Sequence, residues 1–365
     1  MWFFIVGLGA LIPYSLMLLF VTFKMRKLFF LSKIKEKSKV GYFILLFLPA
    51  ALLLISYLID SVNSLLALTN FVVICSVCDL VCFIIRKIRK KERGKRYISG
   101  AIALGLTVIY LSLGVFFCYN VWKTDYSLTT KKDVKEPLTI IQISDSHMGT
   151  TFSGEKFLSY VETMSDANPD IVVITGDLVD NSTTKKDMVD ACYALSKFNT
   201  KYGVYFVFGN HDKGSYASTN FTKEELIFEL EKNGVIVLED EVKLIGDSYY
   251  IVGRADASNK KRKSISELVS TLDQSKYIIV LNHQPNDYDN EEKAKVDLVL
   301  SGHTHGGQMI PIGLIGELSG ANDKTYGYER RGETDFIVNS GISDWAIKFK
   351  TGTKSEWGYI TISKE

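Results

Sequence analysis

The sequence predicts an α/β protein: a four-layer sandwich of two mixed β-sheets flanked by helices, preceded by a four-helix transmembrane region. Three observations lead there. The first is uneven charge. Residues 1–122 hold 15 Lys or Arg and only four acidic residues and are otherwise overwhelmingly apolar, while residues 123–365 hold 28 basic and 37 acidic ones. Net charges of about +11 and −9 therefore cancel to the overall +2. The second is an alternation of short apolar runs with amphipathic stretches beyond residue 137. The third is a change of rhythm after residue 234, where strand-like runs follow one another closely. Alternating and meandering sections in one domain of about 230 residues imply two packed mixed sheets with helices outside.

Four stretches in the first region are long enough to span a hydrocarbon core, which takes about 20 helical residues: Trp2 to Phe23, Val40 to Ile59, Ser64 to Ile85 and Tyr97 to Trp122. The first lacks the basic n-region and small-residue cleavage site of a signal peptide and is too long for its apolar segment, so it is expected to stay on the protein. The third contains Asn70 and Asp79, and Asp79 is expected to face the helix bundle, paired or protonated. Lys24 to Lys39 carries seven basic residues and one acid, Arg86 to Arg96 eight and one, and the connection Asp60 to Asn63 no base. By the positive-inside rule both basic loops are cytoplasmic, which places the N-terminus and everything after Trp122 outside. The basic runs are short and wedged between spans, so nucleic-acid binding is not expected of them. Four of the five cysteines, Cys75, Cys78, Cys82 and Cys118, lie in predicted spans and act there as small apolar residues. Only Cys192 lies in the soluble part, so no disulfide is expected within it.

Residues 123–137 are polar and short and read as a linker; residues 138–365 form the soluble domain. In order, Leu138 to Ser144 is a strand, Gly154 to Asp166 a helix, Ile171 to Thr175 a strand, Thr184 to Phe198 a helix and Val204 to Phe208 a strand. Thr222 caps a helix that Gly234 closes. Val235 to Leu238, Val242 to Ile245 and Tyr249 to Val252 are close-set strands. A helix near Ser264 to Leu272 precedes the strand Tyr277 to Asn282; Val296 to Leu300 is a buried strand, and the tail holds mostly short strands.

The five histidines of the chain all follow such runs: His147 in DSH, His211 in GNHD, His283 in NHQP, and His303 and His305 in SGHTHGGQ. Residues i and i+2 of extended backbone point to one side, so His303 and His305 can face one site. Ligands gathered at the C-terminal ends of strands are where open α/β folds build sites. A metal centre is the reading these residues favour.

Read together, Asp145-Ser-His147, Gly176-Asp177, Gly209-Asn210-His211-Asp212, His283 and Gly302-His303-Thr-His305 resemble the signature of the calcineurin-like metallophosphoesterase superfamily: DxH, GD, GNH, a lone H and GHxH, in order. GHTHGGQ with NHQP, and the ending Asn339-Ser-Gly-Ile-Ser-Asp-Trp345, look most like its bacterial membrane-associated branch, which includes UDP-diacylglucosamine pyrophosphatase-like enzymes. The resemblance implies two divalent ions. One would be held by Asp145, His147, Asp177 and His305, the other by Asp177, Asn210, His283 and His303. Two cations about 3.5–4 Å apart can hold a phosphoryl oxygen and an attacking hydroxide, and the Asp177 carboxylate is the natural bridge between them. Imidazole and carboxylate without thiolate suits Mn, Fe, Zn, Co or Ni. The resemblance also makes His211 a catalytic residue that stabilises phosphoryl charge or protonates the leaving oxygen, with Asp212 as the candidate to orient its ring. Asp180 reads as a loop residue or as support for a ligand.

The function expected is a membrane-anchored, dinuclear-metal hydrolase of phosphodiester or pyrophosphate bonds with its catalytic domain extracytoplasmic. An amphiphilic, lipid-linked substrate is expected because four spans exceed what anchoring needs and because Met309 to Ile315 is an apolar stretch directly after His305. Its ordinary alternative is a buried strand and turn. The competing readings are a broad phosphatase on soluble phosphomonoesters or nucleotides, and a non-catalytic metal-binding receptor on the same fold.

Overall fold

The computed structural model describes residues 2–90, 92, 97–212, 220–310 and 312–365. The chain divides into two compact units, residues 1–113 and 114–365. The first holds α1 (Trp2–Met25), α2 (Phe29–Lys37), α3 (Lys39–Ile59) and α4 (Ser61–Ile88), and α5 (Ile98–Tyr119) begins there. Three of them, α3, α4 and α5, are long and apolar enough to cross a membrane. Four were expected. The first predicted span falls on α1, whose side chains at positions 2–8 lie outside the described residues, and its remainder, Gly9–Met25, is a shorter apolar helix. The basic loop 86–96 also falls partly outside them, and the other basic loop contains α2, whose first turn is apolar.

Within this unit many large apolar side chains face outward, among them Val40, Leu58 and Ile59, while a smaller apolar cluster that includes Val21 and Leu68 and several polar groups meet inside. The Tyr14 hydroxyl donates to Leu53 O at 2.6 Å. Asp79 pairs with Lys24 and accepts from Ser99 Oγ at 2.5 Å and Tyr97 OH at 3.1 Å, as the paired alternative required. Asn70 returns its amide to Leu66 O, one helical turn back. Such an arrangement satisfies polar groups internally and offers hydrocarbon to the surroundings, as a bilayer demands.

The second unit follows α5 directly with β1 (Val121–Thr130), then β2 (Leu138–Ile143), α6 (Gly154–Ser165), β3 (Ile171–Thr175), α7 (Lys185–Leu195), β4 (Val204–Val207), α8 (Lys223–Lys232) and β5 (Val235–Leu238). Next come β6 (Glu241–Ile245), β7 (Tyr249–Gly253), α9 (Ile265–Val269), β8 (Tyr277–Leu281), α10 (Tyr288–Lys293), β9 (Leu298–Ser301), α11 (Ile312–Leu318), β10 (Gly327–Arg331), β11 (Thr334–Val338) and β12 (Ser355–Lys364). One sheet has the order β1-β12-β2-β3-β4-β5, the other β10-β11-β9-β8-β7-β6. Both are mixed: β2, β3, β4 and β5 run parallel in the first, and β7, β8, β9 and β11 in the second, with antiparallel neighbours outside.

Period-two alternation builds the layers. Ile171 and Val173 point into a core shared with Ile279, Leu281 and Leu300 of the other sheet. Val172 and Ile174 point the other way, onto Phe157, Met188 and Leu226 of α6, α7 and α8. Ile278 and Val280 pack on Leu268 and Tyr288 of α9 and α10. The result is helices, sheet, sheet, helices, the predicted sandwich. The stretch read as a linker is different: Lys123 to Thr130 belongs to β1, which pairs in parallel with all of β12. Its alternation of exposed Lys123, Asp125 and Ser127 side chains with Leu128 and Thr130 facing inward is that of an edge strand, and charged outward residues suit an edge.

Candidate metal centre

Parallel strands end together, so the loops after β2, β3, β4, β8 and β9 converge. They bring Asp145, His147 and His305 into one cluster and Asp177, His283 and His303 into another, with one candidate donor atom from each residue within 4.8 Å of the others in its cluster. Asp177 links the two: its Oδ2 lies 3.6 Å from His147 Nε2 and 3.2 Å from His283 Nε2. Asn210 sits in the loop after β4.

The backbone pays for this convergence in strain. Asp145, His147, Asp177, His303 and His305 all have positive φ, between 37° and 70°, a region that residues with a Cβ seldom enter. The neighbouring glycines have no room for a side chain. A Cβ on Gly302 would strike Ser144 and the Asp145 carboxylate, and one on Gly209 would strike the Asp177 carboxylate. The Asp145 oxygens each accept from His303 N at 3.0 Å, and Asp177 Oδ1 accepts from His211 N at 2.8 Å.

Two rings are oriented from outside the clusters: His147 Nδ1 is 3.1 Å from Asp180 Oδ2 and His283 Nδ1 bonds Thr175 O at 2.7 Å, while His305 Nδ1 lies 3.3 Å from Asp344 Oδ1 with no hydrogen bond among the described residues. Carboxylates and carbonyls on the outer nitrogen orient an imidazole and leave its inner nitrogen a free lone pair. Accordingly, His147 Nε2, His283 Nε2 and Asn210 Oδ1 are buried and have no hydrogen-bond partner among the described residues. Buried polar atoms are rarely left so, and lone-pair donors left without partners fit divalent ions. Oxygen and imidazole donors without sulfur fit the Mn, Fe, Zn, Co or Ni class.

Electrostatics agree. Burial drives His283 toward its neutral form, but the Asp177 carboxylate outweighs it and lifts its pKa to about 10. Burial likewise opposes charge on Asp177, yet the surrounding imidazoles hold its carboxyl far below the ordinary range. His303, lowered to about 4, and His305, lowered further, are kept neutral by burial and so present lone pairs.

His211 is half-buried, its ring centroid 5.2 Å from that of His147 and 5.0 Å from that of Trp345. Burial, the largest influence on it, lowers its pKa. The structure gives Asp212 another part than orienting that ring. It is fully buried, and its oxygens accept from Asp177 N at 2.7 Å, Gly209 N at 2.8 Å and Val179 N at 3.1 Å. It clamps the turns that present Asp177 and Asn210, and burial reinforced by Asp177 raises its pKa to about 7. Asp180, read from sequence as a loop residue or as support for a ligand, meets the His147 ring.

Sequence reasoning passed over Asp344 and Lys350 as individual residues. Lys350 is fully buried and donates to Ser340 O at 2.6 Å, Ser343 O at 3.0 Å and Gly341 O at 3.3 Å. It folds residues 340–344 into the loop that aims Asp344 at His305. The NSGISDW run signalled Asp344; no sequence pattern marks Lys350. Of the stretch from Met309 to Ile315, residue 311 lies outside the described residues, Met309 is buried, Ile310 is in a turn, and 312–315 fall in α11, which has no buried residue.

Residues 138–307 match the family model of the calcineurin-like phosphoesterases. The chain is 30% identical over 336 residues to an uncharacterized metallophosphoesterase of Campylobacter jejuni, covering 86% of each chain. It is 28% identical over 370 residues to an uncharacterized metallophosphoesterase of Helicobacter pylori, covering 93% of this chain and 94% of that one. A transmembrane protein with metallophosphoesterase domain from Danio rerio is 27% identical over 243 residues, 62% of this chain and 53% of that one.

Proposed function

Since the chain belongs to the calcineurin-like phosphoesterase family, we propose that it is a multi-pass membrane protein that hydrolyses phosphodiester or pyrophosphate bonds with two divalent ions, its catalytic unit outside the cytoplasm. The observation that carries this reading is the pair of ligand clusters meeting at Asp177, with orphaned donors aimed inward. Asp145, His147, Asp177 and His305 would hold one ion, and Asp177, Asn210, His283 and His303 the other. The chemistry such a pair supplies when bound is Lewis acidity toward a phosphoryl oxygen and a lowered pKa for the attacking water.

The protein's own groups do the rest. Asp180 and the Thr175 carbonyl orient two imidazoles, Asp344 lies beside that of His305, and Asp212 and Lys350 fix the loops. His211, its ring centroid 5.2 Å from that of His147, stands beside the clusters, where a histidine can protonate a leaving oxygen. The substrate class we favour is an amphiphile with its phosphate at the membrane surface, as for the UDP-diacylglucosamine pyrophosphatase-like branch.

Purified full-length protein loaded with Mn should contain two metal ions per chain and turn over bis-p-nitrophenyl phosphate faster than p-nitrophenyl phosphate. Preference for the monoester would favour the soluble-phosphatase reading, and metal binding without turnover of either ester would favour a receptor. For topology, alkaline phosphatase fused at the C-terminus should be active in cells and a fluorescent protein there dark; the reverse would place the catalytic unit inside.

A further inference from the structure

We propose that α11 is a membrane-docking element: the exposed apolar face it shares with Ile310 is immersed in the lipid interface beside the metal centre. Its composition is inverted for a soluble domain. Gly313 faces inward, in contact with Gly307, Gly316 lies against Asn322, and the one charged residue, Glu317, accepts from Thr325 N at 2.7 Å. The large side chains face out, with Leu314 63%, Ile315 57% and Leu318 86% exposed, and Ile310 and Ile312 exposed beside them. A contiguous apolar patch of this kind marks an interaction site, whereas scattered exposed residues do not.

Lipid is the occupant because of what this patch adjoins. Lys350 N donates to Gly114 O at 2.9 Å, and a Cβ on Gly114 would collide with Thr351 and Phe349. Thr351 in turn is bonded to the start of the patch: its N donates to Gln308 O at 2.9 Å and its Oγ1 accepts from Ile310 N at 3.2 Å. The patch is thus rooted on α5, an apolar helix long enough to cross a membrane. Height along α5 can be read from the aromatic residues at its end and just beyond it. Phe116, Phe117 and Trp122 stack edge to face or tilted within 5.8 Å, beside exposed Tyr119, in the manner of the belt that marks a membrane–water boundary. Gly114 lies five residues before Tyr119, roughly 7.5 Å further toward the hydrocarbon at 1.5 Å per residue. The root of α11 is therefore level with or below the aromatic belt, where short apolar helices are held by burial of one face at the acyl boundary. The contact of Gly313 with Gly307 ties that face to the turn bearing His305, so the centre opens at headgroup height.

The test reads depth, so it can fail while hydrolysis persists and succeed where hydrolysis is absent. Full-length protein with its five cysteines replaced is spin-labelled at Leu314→Cys or Leu318→Cys and reconstituted in phosphatidylcholine–phosphatidylglycerol vesicles. Phe228→Cys, on α8 and 62% exposed, is the water-facing control. Labels on α11 should collide more with oxygen and less with a water-soluble nickel chelate than the control label does. In protein keeping its cysteines, fluorescence added by Leu318→Trp should be quenched by brominated lipid. Nickel accessibility equal to that of Phe228→Cys, with no quenching, would overturn the proposal. So would dipolar broadening between α11 labels that vanishes on dilution with unlabelled protein, since a second copy would then cover the face.

Discussion

In residues 1–113 Leu58 is 74% and Ile59 82% exposed, whereas in residues 114–365 Ile140, Val173 and Leu281 are sealed from any surroundings. Large aliphatic residues that the second unit buries are in the first largely turned outward. What differs is the solvent each unit is built for: in water apolar area is buried, in hydrocarbon polar atoms are. Each unit also pairs an aspartate. Asp79, partly buried, is paired with Lys24, Ser99 and Tyr97. Asp177 is held among imidazoles whose inner nitrogens have no other use. A buried acid is structural where its partners are complete and chemical where they are not.

The two aspartates give the sharpest trial of that contrast. Asp177→Asn should reduce hydrolysis to background and release at least one metal ion, as read by metal mass spectrometry, while Asp79→Asn should leave kcat and metal content unchanged. Inactivation by Asp79→Asn would break the comparison. His211→Asn comes next: about 10²–10⁴-fold lower turnover, the usual worth of a general acid, with both metals retained and a defect that grows with leaving-group pKa. Loss of metal would make His211 a ligand. Core packing separates the units at the level of stability. Phe206→Ala, in the sealed core on α6 and α7, should cost about 3–5 kcal/mol in denaturant unfolding of the catalytic unit. Leu58→Ala, on a lipid-facing surface, should stay within about 0.5 kcal/mol. The smallest effect is expected where the contrast blurs, on α11. Ile312→Ser with Leu314→Ser should lower kcat/KM on a lipid pyrophosphate by about tenfold through lost apolar contact, and leave bis-p-nitrophenyl phosphate turnover intact. Equal loss on both substrates would make α11 ordinary scaffold.

Much of this was legible in the chain because periodicity reports what a residue touches. The run Ile171 to Thr175 is buried on both faces and reads as a strand from sequence; the structure has β3 there. The metal-type residues were legible because rare residues at strand ends have few other uses. What escaped were residues whose role depends on partners distant in sequence. β1 read as polar linker because only half of an edge strand is buried, and its partner lies at Ser355–Lys364. Lys350 is an ordinary lysine until the loop it supports is folded around it. Asp212 looked like a partner of His211 by adjacency, but its oxygens face the backbone of Asp177 and Gly209. Membrane-level apolar residues outside long spans, such as Leu314, resemble core until their exposure is known.

The sheet order β1-β12-β2 has a consequence in time. β1 and β2 are neighbours in the chain yet do not pair, and the space between them is filled by a strand that begins at Ser355. On the ribosome, β1 emerges directly after α5 and then stands with an open flank while more than two hundred residues are made. Closure of that sheet waits for β12, a contact between distant parts of the chain and therefore slow. Until it arrives, the loop of residues 340–344 is held from one side only, since β12 begins where that loop is tied down at Ser340 and Gly341. A nascent chain is thus expected to acquire the ability to retain metal only once β12 has cleared the exit tunnel, which keeps half-made protein from hydrolysing phosphoesters.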